Sequence, residues 1–152
     1  MKVIFLDFDG VLNSEKYLRK VGGHGVAIDP TRMELLKQIV LETGAKIVLS
    51  TSWRAHWSKL PEERDPIGNI IEQIFESHGL ALWDKTPQMQ GRRETHLKSF
   101  LDMHPEVESF VVLDDMLLYA DYLKGHIVKT AGYLDGLDEA DVKKAIEILG
   151  NL

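Results

Sequence analysis

Five short apolar runs, each followed by a longer segment with helical spacing or by turn residues, set the strongest limit on what this chain can fold into. They are KVIFL at 2–6, AKIVLS at 45–50, LALW at 80–83, SFVVLDD at 109–115 and HIVKT at 126–130. Their apolar residues are consecutive rather than alternating, so both faces of each strand require cover. Strands of that kind belong to parallel sheets packed between helices. The intervening segments supply the helices. In 29–43, Asp29 is placed to cap, Pro30 suits the first turn and Gly44 ends the run, with Met33, Leu36, Ile39 and Val40 at helical spacing. Residues 66–78 carry Ile67, Ile70, Ile71, Ile74 and Phe75 before Gly79, and residues 92–103 place Leu97, Phe100 and Leu101 on one face. Helices are also predicted over 116–124 and from Asp138 to about Leu149. The expectation is an α/β fold: a three-layer α/β/α, Rossmann-like domain with a central parallel sheet. At 152 residues the chain suits one domain, 1–152.

The first run ends in an unusual way. VIFLDFDGVLNS, residues 3–14, passes straight from a buried-type strand into Asp7 and Asp9. Aspartate is a poor strand former, and two carboxylates this close repel each other. In open parallel sheets, ligands bind at the carboxyl ends of the strands. Here those ends carry Asp7 and Asp9, then Ser50, Thr51 and Ser52, then Asp114 and Asp115. Clustered carboxylates need positive charge among them. Magnesium suits the place, being a hard cation held by one or two carboxylates, waters and a substrate phosphate. A carboxylate held by the metal can attack phosphorus, and its neighbour two residues on can exchange a proton with the leaving oxygen. Gly10 permits the sharp turn this requires. The Ser50 hydroxyl and a cation from another strand can hold the non-bridging oxygens.

With these motifs in this order, the chain resembles the haloacid dehalogenase-like superfamily of phosphohydrolases over most of its length. DFDGV, 7–11, is similar to the first family motif, which implies Asp7 as nucleophile, Asp9 as acid/base and the Asp9 main-chain carbonyl as a further metal ligand. IVLSTSWR, 47–54, resembles the second, with Ser50 as the phosphate-binding hydroxyl and Thr51 as the alternative. VVLDD, 111–115, resembles the fourth, with Asp114 on magnesium and Asp115 supporting. The implied metal set is thus Asp7, Asp9, Asp114 and Asp115. The third motif, usually a lysine, falls in GRRETHLKSFL, 91–101, which offers Arg92, Arg93 and Lys98. The wording there is similar to small domains associated with nucleic-acid repair proteins, and that likeness favours Arg93. Arg54, after the second motif, is placed to reach the substrate phosphate. The second aspartate of the first motif favours phosphoryl chemistry over dehalogenation. Residues 13–28 suffice for a flap and not for a cap domain, so an open site is expected. The implied substrate is a phosphorylated small molecule or a nucleic-acid end.

Plainer readings compete at several positions. DxDG also occurs in calcium loops, but Val11 and Leu12 break the alternation of oxygen ligands such a loop needs. Ser50 to Ser52 can cap a following helix. Arg92 and Arg93 can face solvent. Trp53, Trp57 and Trp83 suit packing better than base stacking. His24, in GGHG, can touch substrate or simply lie in a loop, and the glycines lack the GK[ST] ending of a phosphate loop. The histidines show no HxxxH or HExxH spacing for zinc. A non-enzymatic, receiver-like phospho-acceptor also clusters carboxylates on a parallel sheet, but its acceptor follows the third strand, whereas here the DxD follows the first.

Composition narrows the context. A net charge of −6 argues against a broad non-specific nucleic-acid surface while leaving room for a local basic pocket. With no cysteine there is no thiolate metal site and no disulfide-linked partner. No apolar run approaches the roughly 18 residues a membrane span needs, and the first residues predict no secretory signal. A cytoplasmic protein without a membrane partner is expected.

Overall fold

The computed structural model describes residues 1–22 and 25–150. Its centre is one sheet of five parallel strands in the order β3-β2-β1-β4-β5. These are β1 (Lys2–Leu6), β2 (Lys46–Leu49), β3 (Leu82–Lys85), β4 (Ser109–Asp114) and β5 (Ile127–Lys129). The helices are α1 (Glu15–Val21), α2 (Pro30–Thr43), α3 (Pro66–Ser77), α4 (Arg93–Met103) and α5 (Glu139–Gly150). The α/β/α layering expected from the apolar runs is present. Alternate residues of each strand feed two separate cores. Ile4 and Leu6 of β1, with Ile47, Leu49, Val111 and Leu113, pack against α2, α3 and α5 through Leu36, Ile71, Phe75 and Ala145. Val3 and Phe5, with Val48 and Val112, pack against Leu97 and Phe100 of α4 and against Leu118 and Leu123. The side chains of β1 from Val3 to Leu6 are fully buried, which explains why that strand is apolar without interruption.

Register fixes the functional edge. Leu6 lies beside Leu49 on one side and Leu113 on the other. The ladder then continues one residue past the strands. Asp7 N–H donates to Leu113 O at 3.1 Å, Ser50 N–H to Leu6 O at 3.0 Å, Thr86 N–H to Leu49 O at 2.9 Å and Thr130 N–H to Asp114 O at 2.9 Å. Four polar residues that follow or end four strands are thereby held at one end of the sheet by backbone bonds.

The structure corrects three expectations. The third strand is Leu82–Lys85 rather than 80–83, and the β2–β3 register shifts between Ile47 and Val48. No α-helix forms over 116–124, where only a 3-10 turn, Asp121–Leu123, is present. Tyr119 N–H, which a helix begun at 116 would turn back onto its own backbone, bonds Glu94 Oε2 at 3.1 Å instead, while Met116 N–H bonds Asp114 Oδ1 at 2.9 Å. The flap, in contrast, does contain a helix, α1. Ser14 Oγ accepts from Tyr17 N–H at 3.0 Å, Arg19 pairs with Glu15 at 2.8 Å, and Gly22 closes it in the left-handed conformation. None of its residues is buried, so no apolar stripe announced it. Among the described residues there is no cap domain. The β1–α2 connection holds only α1, and the β2–β3 connection holds α3 with two 3-10 turns, Ser52–His56 and Pro61–Glu63.

Candidate active site

Asp7 and Asp114 stand side by side at the ends of the two central strands, and Arg93 bridges them. Arg93 Nη1 lies 3.0 Å from Asp7 Oδ2 and 2.6 Å from Asp114 Oδ2. The other oxygens are tied to backbone: Asp7 Oδ1 accepts from Phe8 N–H at 2.9 Å and Asp114 Oδ1 from Met116 N–H at 2.9 Å. Both carboxylates are almost inaccessible, at 5% and 0% relative exposure. Asp115 completes the cluster: one oxygen from each of Asp7, Asp114 and Asp115 lies within 4.8 Å of the others.

The seat of Asp115 explains two glycines. Gly10 turns with φ +83°, and a Cβ there would fall 2.1 Å from Asp115 Oδ2. A Cβ on Gly132 would fall 2.7 Å from the same oxygen and 2.9 Å from Gly10 Cα. The loops after β1 and β5 therefore close around Asp115 only because both positions lack side chains. The Thr130 hydroxyl fastens the same junction, donating to Gly10 O at 2.6 Å.

Asp9 is exposed, unlike Asp7. Its Oδ1 accepts from Asn13 Nδ2 at 3.2 Å and its Oδ2 from Trp53 Nε1 at 3.1 Å. Asn13 also accepts from Gly10 N–H at 3.0 Å and donates to Ala27 O at 2.8 Å, so one side chain braces the turn, the flap and Asp9 together. The Asp9 carboxylate lies outside the cluster made by Asp7, Asp114 and Asp115.

Burial dominates the electrostatics. Loss of solvent pushes the Asp7 pKa up to about 7, with Arg93 opposing and Asp114 adding to the rise. Asp115 is also raised, by burial and then by Asp114. Burial alone would lower Arg93, but Asp7 and Asp114 outweigh it and hold the guanidinium charge more firmly than usual. Three carboxylates and one guanidinium leave excess negative charge among hard oxygen donors. That donor set fits magnesium better than a soft or nitrogen-preferring ion.

The remaining predicted residues divide. Ser50 Oγ is buried beside Asp7's strand end and has no hydrogen-bond partner among the described residues, which a native fold rarely leaves unexplained. Thr51 Oγ1 is already engaged as a cap, accepting from Trp53 N–H at 3.3 Å. Of the three third-motif candidates, Arg93 is the one brought to the carboxylates. Arg92 is exposed just before α4, and Lys98 pairs with Asp102 on the surface. Arg54 departs from expectation. Arg54 is 8% exposed, and its guanidinium donates to Thr86 O at 3.1 Å, Thr51 O at 3.0 Å and Pro87 O at 3.2 Å. Most of its donors brace the β3–α4 loop. Trp57 is core and Trp83 packs edge-on against Phe100, as the packing reading had it, whereas Trp53 reaches Asp9. His24 lies outside the described residues. Asn13, Trp53, Thr130 and Gly132 were not predicted as site residues. Asn13, inside the opening motif, and Trp53, inside the second, carried a local signal.

The family model for the HAD domain in Swiss Army Knife RNA repair proteins matches residues 3–142. The chain belongs to that family. No curated protein and no solved structure matches it. Membership in this HAD family supports a HAD-type phosphohydrolase, built on a small domain whose acidic triad is able to hold a metal. Among the described residues, no helix is long and apolar enough to cross a membrane.

Proposed function

We propose that this HAD domain is a magnesium-dependent phosphomonoester hydrolase that works through an aspartyl-phosphate on Asp7, with nucleotide or polynucleotide-end phosphates as substrates. The observation that carries the proposal is the convergence of Asp7, Asp114 and Asp115 around one guanidinium, with Asp9 two residues on at the exposed rim. In this reading residues 1–152 act as one catalytic domain. Asp7, Asp114 and the Asp9 carbonyl would hold magnesium, with Asp115 in support, and the ion would supply charge screening between the phosphate and the attacking carboxylate. Ser50 Oγ and Arg93 hold non-bridging phosphate oxygens, and Arg54 positions the loop leading to α4. An Asp7 carboxylate oxygen forms a bond to phosphorus while the bond to the leaving oxygen breaks. The released electron pair goes to that oxygen, which takes the Asp9 proton. Water then attacks the phosphorus, Asp9 accepts its proton, and the Asp7–phosphorus bond breaks with its electrons returning to the carboxylate. The nucleic-acid end is supported by the family's description and by an open site without a cap.

The test is turnover of a generic aryl phosphate and of 3′- and 5′-phosphorylated oligonucleotides. Excess EDTA should stop turnover and magnesium restore it. Calcium should substitute poorly, because its looser shell misplaces Asp7 relative to phosphorus. Asp7→Asn should remove activity while keeping the fold. Full activity in chelator, or an Asp7→Asn rate near wild type, defeats the reading. Phosphorylation of Asp7 that persists for hours without release would replace it with a receiver-like acceptor.

A further inference from the structure

Displacement at phosphorus runs in line, so the leaving oxygen departs on the side opposite the nucleophile. Asp7 approaches from the buried strand end, and Asp9 is exposed. Asp9, which protonates the leaving oxygen in this reading, marks the side on which the leaving group departs. A cleft of about 370 Å³ lies there, between α1 and the loop after β5. Its lining includes Asp9, Asp115, Leu18, Lys129 and Tyr133. Other cavities of about 400 and 470 Å³ touch none of the strand-end aspartates.

We infer that this cleft is the leaving-group subsite and that it takes a nucleoside, with Tyr133 as its specificity residue. The inference rests on the phosphatase reading above and deepens it. Three features point to a nucleoside rather than a small alkyl or sugar group. The volume is within the range of sites that hold small organic ligands. Tyr133 is 68% exposed although it lines a concave surface, so its ring is free for a flat partner, and aromatic faces accept bases with little sequence preference. Lys129 is an exposed cation on the same wall, suited to a further phosphate of a chain. A Cβ on Gly132 would fall 2.9 Å from Gly10 Cα, so the glycine lets the loop that carries Tyr133 pack against the turn that follows Asp9.

The experiment compares kcat and KM of the full chain, wild type and variants, on a phosphorylated dinucleotide and on glycerol phosphate, with magnesium present. Tyr133→Ala should raise KM for the dinucleotide roughly 5- to 100-fold, the effect of losing one base stack, and change its kcat less than threefold. The dinucleotide-to-glycerol-phosphate ratio of kcat/KM should fall accordingly. Tyr133→Phe, which keeps the ring, should restore that ratio to within about threefold of wild type. Equal losses on both substrates, an unmoved ratio, or failure of Tyr133→Phe to restore it overturns the subsite. If wild type hydrolyses neither substrate, the phosphatase reading fails instead. Hydrolysis of both with no dinucleotide preference fails the subsite alone.

Discussion

Removing the charge of Asp7 should abolish turnover and yet stabilise the metal-free protein. Asp7 is buried next to Asp114 and shares one guanidinium with it. A carboxyl group whose pKa rises from 3.8 to about 7 on folding is ionised at a disadvantage in the native state. At about 1.4 kcal/mol per pKa unit, a rise of about three units corresponds to roughly 4 kcal/mol at pH 8, an upper bound for what neutralisation can return. Asparagine keeps an oxygen for Phe8 N–H but turns an amide toward Arg93, so about 1 to 3 kcal/mol should survive. For a domain of this size that is a rise in Tm of about 3 to 10 °C. The sign with pH follows from the raised pKa. The wild-type stability present below pH 4 should be lost progressively as pH climbs to about 7, and Asp7→Asn should lack that decline. The assay is thermal unfolding in EDTA at pH 5 and pH 8, followed by circular dichroism, then repeated with magnesium. Wild type should gain stability from magnesium and the variant should gain much less. A variant with a lower Tm than wild type in EDTA at pH 8 refutes the claim that the carboxylates are held under electrostatic stress.

Arg93→Ala should lower kcat at least tenfold, with Arg93→Lys recovering part of it, because one cation faces both Asp7 and Asp114; equal activity in all three proteins removes Arg93 from the site. Gly10→Ala should cost at least about 2 kcal/mol in urea unfolding and abolish turnover, since the new methyl meets Asp115 and the left-handed turn is strained; a fully active variant contradicts the packing. Trp53→Phe should reduce kcat several-fold with little change in stability, as Asp9 Oδ2 loses its indole partner; an unaltered kcat assigns Trp53 to packing. Lys16 and Lys20, on a helix with three cations and one anion, should steer oligonucleotides: replacing both by glutamate should reduce the salt slope of oligonucleotide turnover by roughly 1, and an unchanged slope argues that α1 does not touch the strand.

The aspartates were legible because their signal is local. Each sits where an uninterrupted apolar run stops, and a parallel sheet sends all such ends to one edge. Ser50 was legible for the same reason. Arg93 stands four and seven residues before Leu97 and Phe100, the pair that packs α4 on β1 and β4, so helical spacing itself separates it from Arg92, which precedes the helix, and from Lys98, which lies off that face. The surroundings of Arg54 were not legible, because a lone arginine after a phosphate motif has the same spelling whether its donors face a ligand or, as here, three carbonyls. Trp53, Thr130 and Gly132 act on Asp9, Gly10 and Asp115 from other strands, so no short window joins them. The segment 116–124 forms no helix where Glu94, on another element, holds the Tyr119 N–H, a contact no local window contains.

The strand order has a consequence for how the chain is made. β1 can pair with β2 once about 50 residues are available, but its other neighbour, β4, is Ser109–Asp114. Until that segment leaves the ribosome, the apolar edge from Val3 to Leu6 stays open, and open edges of this kind recruit other strands. Asp7 and Asp114 likewise meet only across a sequence separation that makes the pairing slow. The charged centre is thus a late product of folding. A chain truncated near residue 105 should hold β1, β2 and β3 as an aggregation-prone half without the Asp7–Asp114 centre.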